Sequence, residues 1–172
     1  MKKPLLLLIS LSLTACFACS RSQAGLAQYV GTWQTTYTIM NAKGIRVTTG
    51  SLNVKQPASD TINFANSSSV VTGVDSFGIP TTQTSSFDVT LKQTSNNYLL
   101  SLRVDGQGVL NDYVLNADSE GLSGQSQVSL DGKQRPVTAS IKKKGPGSVW
   151  KIAAEDDGGP KHLYEFEFQE KK

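Results

Sequence analysis

Cysteine and histidine are scarce in this sequence, and their scarcity limits the chemistry open to the protein. The only two cysteines among 172 residues, Cys16 and Cys19, lie close to the N-terminus. The chain beyond them therefore has no disulfide, no structural zinc site with thiolate ligands and no cysteine nucleophile. With His162 as the single histidine, a catalytic triad and a histidine-rich metal site are excluded as well. We expect no enzymatic activity, metal or cofactor, because no set of residues offers a nucleophile together with a base.

A large excess of charge of one sign is also missing. The 17 lysines and arginines and the 14 acidic residues give a formal net charge of +3. Removal of Lys2 and Lys3 with a cleaved leader lowers that charge to +1. A strongly basic face is not indicated, so nucleic acid is not expected as a partner. The three lysines at 142–144 are interpreted as a solvated hairpin tip, with contact to anionic lipid head groups as the alternative.

The N-terminus carries an apolar run that is too short to cross a membrane. Lys2 and Lys3 precede a short apolar stretch, residues 4–13. Small residues, Thr14 and Ala15, follow this stretch and precede Cys16. Only twelve residues separate Lys3 from Cys16, whereas a membrane-spanning helix takes about 20 apolar residues. This pattern predicts a secretory signal peptide over residues 1–15.

The junction Leu13-Thr14-Ala15-Cys16 resembles a bacterial lipobox. The resemblance implies that the Cys16 thiol receives a diacylglycerol and that its amine, exposed by cleavage, receives a further acyl chain, which together anchor a protein stably. Phe17, rather than aspartate, follows Cys16, which resembles the outer-membrane sorting default of Gram-negative lipoproteins. We therefore expect a lipid-anchored protein of the bacterial cell envelope, at the outer membrane facing the periplasm, with residues 16–25 as a flexible tether. The alternatives are an ordinary signal peptide cut nearby and lipidation at Cys19, which lacks the preceding leucine.

No long helical period follows the tether, and the remaining pattern is that of strands. Residues 29–40 alternate polar side chains with large ones, Trp33 and Tyr37 among them, which predicts a half-buried first strand. A single helical turn over residues 26–30 is expected before it. Short alternating runs then continue to the C-terminus. Residues 26–172 are therefore predicted to form one all-β domain, an antiparallel up-and-down barrel of about ten short strands.

Turn residues divide the predicted strands. Asp105-Gly106 and Asp131-Gly132 are strong signals for tight hairpins, because glycine adopts positive φ without cost and aspartate with little. Residues 66–69 are interpreted as a polar break between strands. Residues 75–82 are the longest irregular segment, of a kind that often rims a cavity.

The tripeptide 31–33, Gly-Thr-Trp, resembles the Gly-x-Trp signature of the lipocalin and wider calycin families. In those barrels the glycine lets the backbone bend and the tryptophan plugs the closed end, so the resemblance implies a lipocalin-like barrel. The triplet 111–113, Asn-Asp-Tyr, is similar to the second lipocalin motif, and Arg135 lies where a third-motif arginine is sought. Avidins and nitrobindins begin in a similar way. Nitrobindin-like barrels place a haem-ligating histidine near the C-terminus, which His162 would match, but we favour a solvent-exposed histidine in a turn.

The function depends on whether the barrel interior is empty or filled. Six aromatic residues are predicted to contact a ligand from the interior or the rim: Trp33, Tyr37, Phe77, Phe87, Tyr98 and Trp150. Since an eight-stranded barrel just holds one small ligand, ten strands leave more room. The first hypothesis is a membrane-anchored binding module that takes a hydrophobic small molecule or lipid into a cavity rimmed by residues 76–80. The alternative is a structural or interaction lipoprotein whose filled barrel docks to another envelope protein.

Overall fold

A computed structural model of the chain describes residues 25–41, 44–156 and 159–172. The predicted signal peptide, Cys16 and most of the tether lie outside the described residues. No helix within these ranges has the length and apolar character needed to cross a membrane.

The described part of the chain consists of one short 3-10 helix and ten strands. The helix is Leu26–Tyr29, which agrees with the helical turn expected there. The strands are β1 (Gly31–Asn41), β2 (Gly44–Ala58), β3 (Thr61–Val74), β4 (Pro80–Gln93), β5 (Tyr98–Val104), β6 (Gln107–Ala117), β7 (Gly121–Leu130), β8 (Lys133–Lys144), β9 (Gly147–Asp156) and β10 (Gly159–Lys171). Each strand pairs antiparallel with the next and β10 pairs with β1. The prediction of an all-β, up-and-down barrel of ten strands is confirmed.

Alternating strand direction gives the barrel two different ends. The end that carries the 3-10 helix and the start of β1 is called the closed end, and the end that carries the β1–β2, β5–β6 and β7–β8 turns is called the open end. At the closed end the indole N–H of Trp33 donates to the Tyr29 carbonyl over 2.7 Å. Gly31 has φ of 130°, which a side chain would strain. The tripeptide 31–33 therefore seats a buried aromatic plug, as the resemblance implies.

The barrel wall has two short seams, and both lie at the closed end. Pairing across the seams is restricted to a few residues, which are Lys55–Asn63 and Ala58–Thr61 between β2 and β3, and Asn116–Ser123 and Ala117–Leu122 between β6 and β7. Toward the open end the two strands at each seam no longer pair. The barrel therefore consists of a four-stranded sheet, β3 to β6, and a six-stranded sheet, β7 to β10 with β1 and β2, joined at one end.

Two hairpins follow the turn chemistry of the sequence. Asp105 and Gly106 have φ of 51° and 78°, and Asp131 and Gly132 have φ of 50° and 74°. Two successive residues with positive φ make the tight turn that suits the twist of antiparallel strands. Both hairpin predictions are confirmed.

The polar break predicted at residues 66–69 is wrong, because β3 runs without interruption from Thr61 to Val74. Its backbone pairs along β4 through this stretch, as Ser67 does with Ser86, so cross-strand pairing outweighs the low strand propensity of the local residues. The irregular segment predicted at 75–82 is also shorter than expected, because β4 begins at Pro80. The strands are accordingly longer than predicted, up to 15 residues in β2.

Candidate binding site at the open end

The barrel interior from the closed end to the middle is filled by aromatic rings. Phe64 lies at the centre, with its ring 5.2 Å from the rings of Trp150 and Phe168 and 5.3 Å from that of Phe166, centroid to centroid. These contacts are edge-to-face, the favoured arrangement of aromatic pairs. Tyr37 joins the cluster through Phe166 and Phe87. The central space is therefore occupied by the protein's own side chains.

Five of the six predicted ligand-contacting residues belong to this buried core. Trp33, Tyr37, Phe87, Tyr98 and Trp150 are each at most 6% exposed. Phe77 is 86% exposed in the β3–β4 turn at the open end, where its N–H donates to the Asp75 carboxylate. The structure thus brings five of these residues into the core and leaves Phe77 apart from them. Phe64 was missed as the centre, although its alternation with Ile62 is a signal for an inward position.

His162 is buried at the open end, so the prediction of an exposed turn histidine is wrong. It lies on β10, 5% exposed, with Nε2 3.0 Å from a carboxylate oxygen of Asp131 and Nδ1 3.4 Å from the Tyr164 hydroxyl. β10 already starts at Gly159, which places residue 162 on the same inward face as Tyr164. Because both ring nitrogens face protein groups, His162 does not fit the role of a haem ligand.

An ion pair crosses the open end between the two sheets. Nη2 of Arg46, on β2, lies 3.5 Å from Oδ2 of Asp105, in the β5–β6 turn. The other Asp105 oxygen accepts the Ser86 N–H over 2.9 Å. Nη1 of Arg46 is buried and has no hydrogen-bond partner among the described residues. Burial, followed by the nearby charge of Asp131, raises the pKa of Tyr164 to about 12. A cavity of about 140 Å³ lies at this end, and Asp105, Asp131 and Tyr164 contribute to its lining.

A larger opening lies where β6 and β7 separate, and we call it the β6–β7 cleft. Its volume is about 600 Å³. Its lining residues are Gly108, Val109, Leu110, Asn111, Asp112, Tyr113, Val114, Asn116, Gly124, Gln125, Ser126, Gln127, Val128 and Ser129. Consecutive residues of each strand line the cleft, so it lies along the two strand edges. It adjoins the smaller polar cavity, with which it shares Gly108, Val109 and Ser129.

Close packing at Gly124 and a hydrogen bond from Tyr113 define the inner limits of the β6–β7 cleft. A Cβ on Gly124 would lie 2.3 Å from the Val114 carbonyl oxygen, so β6 and β7 touch there. The buried Tyr113 hydroxyl donates to the Val137 carbonyl of β8 over 2.6 Å. Burial raises the pKa of Tyr113, and the Ser126 N–H opposes this effect. The cleft is therefore a wedge whose narrow end is fixed and whose wide end faces the open end.

Titratable groups at the open end are arranged in pairs and do not form a metal site. Within residues 25–41, 44–156 and 159–172, no three of the His, Cys, Asp and Glu side chains are grouped to hold a metal ion. The open end therefore offers the Arg46–Asp105 ion pair, the His162–Asp131 contact, a tyrosine hydroxyl and two strand edges. These groups suit recognition by hydrogen bonding and charge.

The fold and these openings define a closed, ten-stranded antiparallel barrel with a filled interior and a cleft in its wall. Comparison with known protein families and with curated proteins found no match. Among solved structures, a de novo designed fluorescence-activating β-barrel is 13% identical with a TM-score of 0.37, over 83% of this chain and 96% of that one. A redesigned β-barrel is 15% identical with a TM-score of 0.36, over 84% and 94%. Neither similarity carries an argument about function.

Proposed function

We propose that the protein is a lipid-anchored envelope lipoprotein that binds another envelope protein through the open end of a filled barrel. The observation that carries this proposal is the position of the free space. The core around Phe64 is packed with rings, whereas the β6–β7 cleft opens at the opposite end from Trp33. A filled barrel serves as a rigid scaffold, and such scaffolds present binding groups at their edges and loops. The proposed role is binding, without catalysis and without nucleic acid.

The position of the 3-10 helix supports an orientation for the anchored protein. Gly25 and the helix Leu26–Tyr29 lie at the closed end, so a tether from Cys16 attaches there. Nine residues of extended chain reach at most about 30 Å. The closed end is then held near the outer membrane, and the open end points into the periplasm. A partner in the periplasm or the peptidoglycan layer meets the β6–β7 cleft first.

A hydrophobic small molecule or lipid is the second candidate ligand, and the size of the β6–β7 cleft favours it. Small-molecule sites have volumes of about 300–1,000 Å³, and the cleft has about 600 Å³. Val109, Leu110 and Val128 contribute apolar surface to its walls. In this case the ligand lies between β6 and β7, because the predicted central position is occupied by aromatic side chains.

Site-specific photo-crosslinking in living cells tests the proposed function. A benzoylphenylalanine is placed at Ser129, in the wide part of the cleft, or at the exposed Asn96 of the closed end as the control. We expect one recurring protein adduct of defined mass from Ser129 and none from Asn96. Equal adducts from both positions, or none from either, would contradict the proposal. A cell-derived small molecule that is released by denaturation, together with no protein adduct at Ser129, would support the second candidate.

A further inference from the structure

We propose that the edge of β7 in the β6–β7 cleft binds an extended polypeptide segment of the partner, which adds to the six-stranded sheet as a further strand. This inference rests on the proposed function and names the recognition mode. Beyond the two pairs near Ser123, β7 has no pairing with β6, so the edge over 124–130 faces the cleft. Unpaired strand edges bind extended peptides through main-chain hydrogen bonds.

The position of a proline in β8 shows which backbone groups of β7 face the cleft. Gln127 lies opposite Pro136 in the β7–β8 ladder. Because proline has no N–H, this pair cannot exchange two hydrogen bonds and is a non-hydrogen-bonded pair. The N–H and C=O of Gln127, and by alternation those of Gln125 and Ser129, therefore point away from β8 and into the cleft. These three residues supply a row of donors and acceptors along the edge.

β7 lacks the features that protect strand edges, whereas β6 and β2, which also lie at the seams, have them. Its register with β8 is regular from Gly121 to Leu130, and it contains no proline, lysine or other charge. β6 carries register shifts against β5 and a positive φ at Asp112. The β2 edge carries the inward-facing Arg46. Bulges and inward charges are established means of blocking edge pairing. Of these three edges, β7 is the one open to a new strand.

The walls of the cleft determine the chemistry of the segment. Val109 and Val128 are half-buried and pack against the core, so side chains that point inward from the new strand meet an apolar floor. Asp112 is the only charged residue in the lining. A segment with apolar residues at alternate positions and a lysine or arginine toward β6 therefore fits the cleft by hydrophobicity and by charge.

A library of random linear decapeptides, panned against the full chain in detergent, supplies the probe. We expect the enriched peptides to alternate apolar residues and to carry a basic residue. In hydrogen exchange, the amides of Gln125, Gln127 and Ser129 gain protection on peptide binding, while those of Ser126 and Val128, already bonded to β8, do not change. Gln127→Pro removes one N–H from the cleft edge and leaves the β8 ladder intact, so peptide affinity falls about tenfold.

Two matched variants keep the test interpretable. Gln127→Thr changes the same side chain but retains the N–H, and peptide binding persists. Asp112→Lys, on the facing strand, weakens binding of the basic peptides without changing β7. Thermal unfolding of each variant establishes that it is folded. Peptides that bind Gln127→Pro as tightly as the unaltered chain, or a library with no enriched sequence, overturn the inference.

Other occupants of the edge give different outcomes. A dimer that is lost in Gln127→Pro shows that a second copy of the chain fills the edge, and it overturns the inference. If Ser129 crosslinks to a partner in cells but the peptide selection fails, the proposed function is supported and the inference of strand addition is contradicted. If no crosslink forms at Ser129, the proposed function is contradicted, whatever the result of the peptide selection.

Discussion

At the scale of single residues, Phe64 is where the packing of the interior converges. Its ring contacts those of Phe87, Trp150, Phe166 and Phe168, which come from three other strands. A side chain that is 2% exposed and surrounded by rings leaves a cavity when it is truncated, because neighbouring aromatics cannot collapse into the gap.

Replacement of Phe64 by alanine is expected to lower the free energy of unfolding by about 3–5 kcal/mol. The matched control is Phe77→Ala, which removes the same ring from an 86% exposed position and changes stability by about 0.5 kcal/mol or less. Urea unfolding followed by tryptophan fluorescence measures both. Equal losses in the two variants would show that the interior is not packed around Phe64.

Stability at alkaline pH depends on the buried tyrosines. The pKa of Tyr164 and that of Tyr29 are each raised to about 12, chiefly by burial, against an unfolded value of 10. The folded state therefore retains these protons longer than the unfolded chain. The contribution of these two protonated tyrosines to the free energy of unfolding is complete below pH 10. It is lost as the pH rises from 10 toward 12, because the unfolded chain releases the protons first.

Between pH 9 and pH 11, the free energy of unfolding is expected to fall less in Tyr164→Phe than in the unaltered chain. The difference between the two falls is about 1 kcal/mol. Urea midpoints measured at several pH values give the two slopes. The slope is compared, because loss of the hydroxyl near His162 also shifts stability at every pH. Parallel slopes would show that Tyr164 ionises as readily in the folded state as in the unfolded chain.

At the scale of elements, the contact between β6 and β7 is set by Gly124. Gly124→Ala places a methyl group against the Val114 carbonyl oxygen. It is expected to lower the free energy of unfolding by about 1–3 kcal/mol and to push β6 and β7 apart, which widens the cleft. Gly50→Ala is the control, because its Cβ would meet open space, and it is expected to change stability by about 0.5 kcal/mol or less. Thermal unfolding and hydrogen exchange at Asn116 and Ser123 measure the effects. Unchanged exchange at the seam would contradict this assignment.

The elements whose signals are local were predictable from sequence. Asp105-Gly106 and Asp131-Gly132 determine their hairpins through their own φ preferences, and the alternation in β1 identifies Trp33 and Tyr37 as inward-facing. The continuity of β3 was not predictable, because a polar serine run becomes a strand only when β4 pairs beside it.

The candidate site was less predictable than the fold. Burial of His162 depends on β10 beginning at Gly159, and a shift of a few residues in a turn decides between exposure and burial. The β6–β7 cleft results from two strands that diverge after two pairs, a property of sheet curvature that no local pattern records. Residue types predicted an interior lined with aromatics, and only packing showed that these rings fill it.

At the scale of the whole molecule, the two sheets are linked at the open end by Arg46 and Asp105. Arg46→Met and Asp105→Asn are each expected to destabilise the protein, by about 1–3 kcal/mol, and the double variant by less than their sum, because each single change already breaks the same ion pair. A double-mutant cycle from urea unfolding gives the coupling. Additive effects would mean that the pair does not link the sheets.

Membrane attachment is expected to depend on Cys16. Cys16→Ser should move the protein from the membrane fraction to the soluble fraction, because a serine cannot take the thioether-linked diacylglycerol. Cys19→Ser is the control and should leave the protein in the membrane fraction. Fractionation and intact mass measure both changes. A Cys16→Ser protein that stays in the membrane with unaltered mass would show that the anchor lies elsewhere.

The pairing of the first strand with the last has a consequence for biogenesis. β1 pairs with β10 from Met40–Leu163 to Trp33–Lys171, so the barrel wall closes only when both strands are present. In a chain that crosses a membrane N-terminus first, β1 emerges long before β10 and must wait with an unpaired edge. A chaperone that covers this edge would prevent aggregation while β10 is still missing. A nonsense codon upstream of β10 would leave the wall permanently open and yield an aggregation-prone sheet.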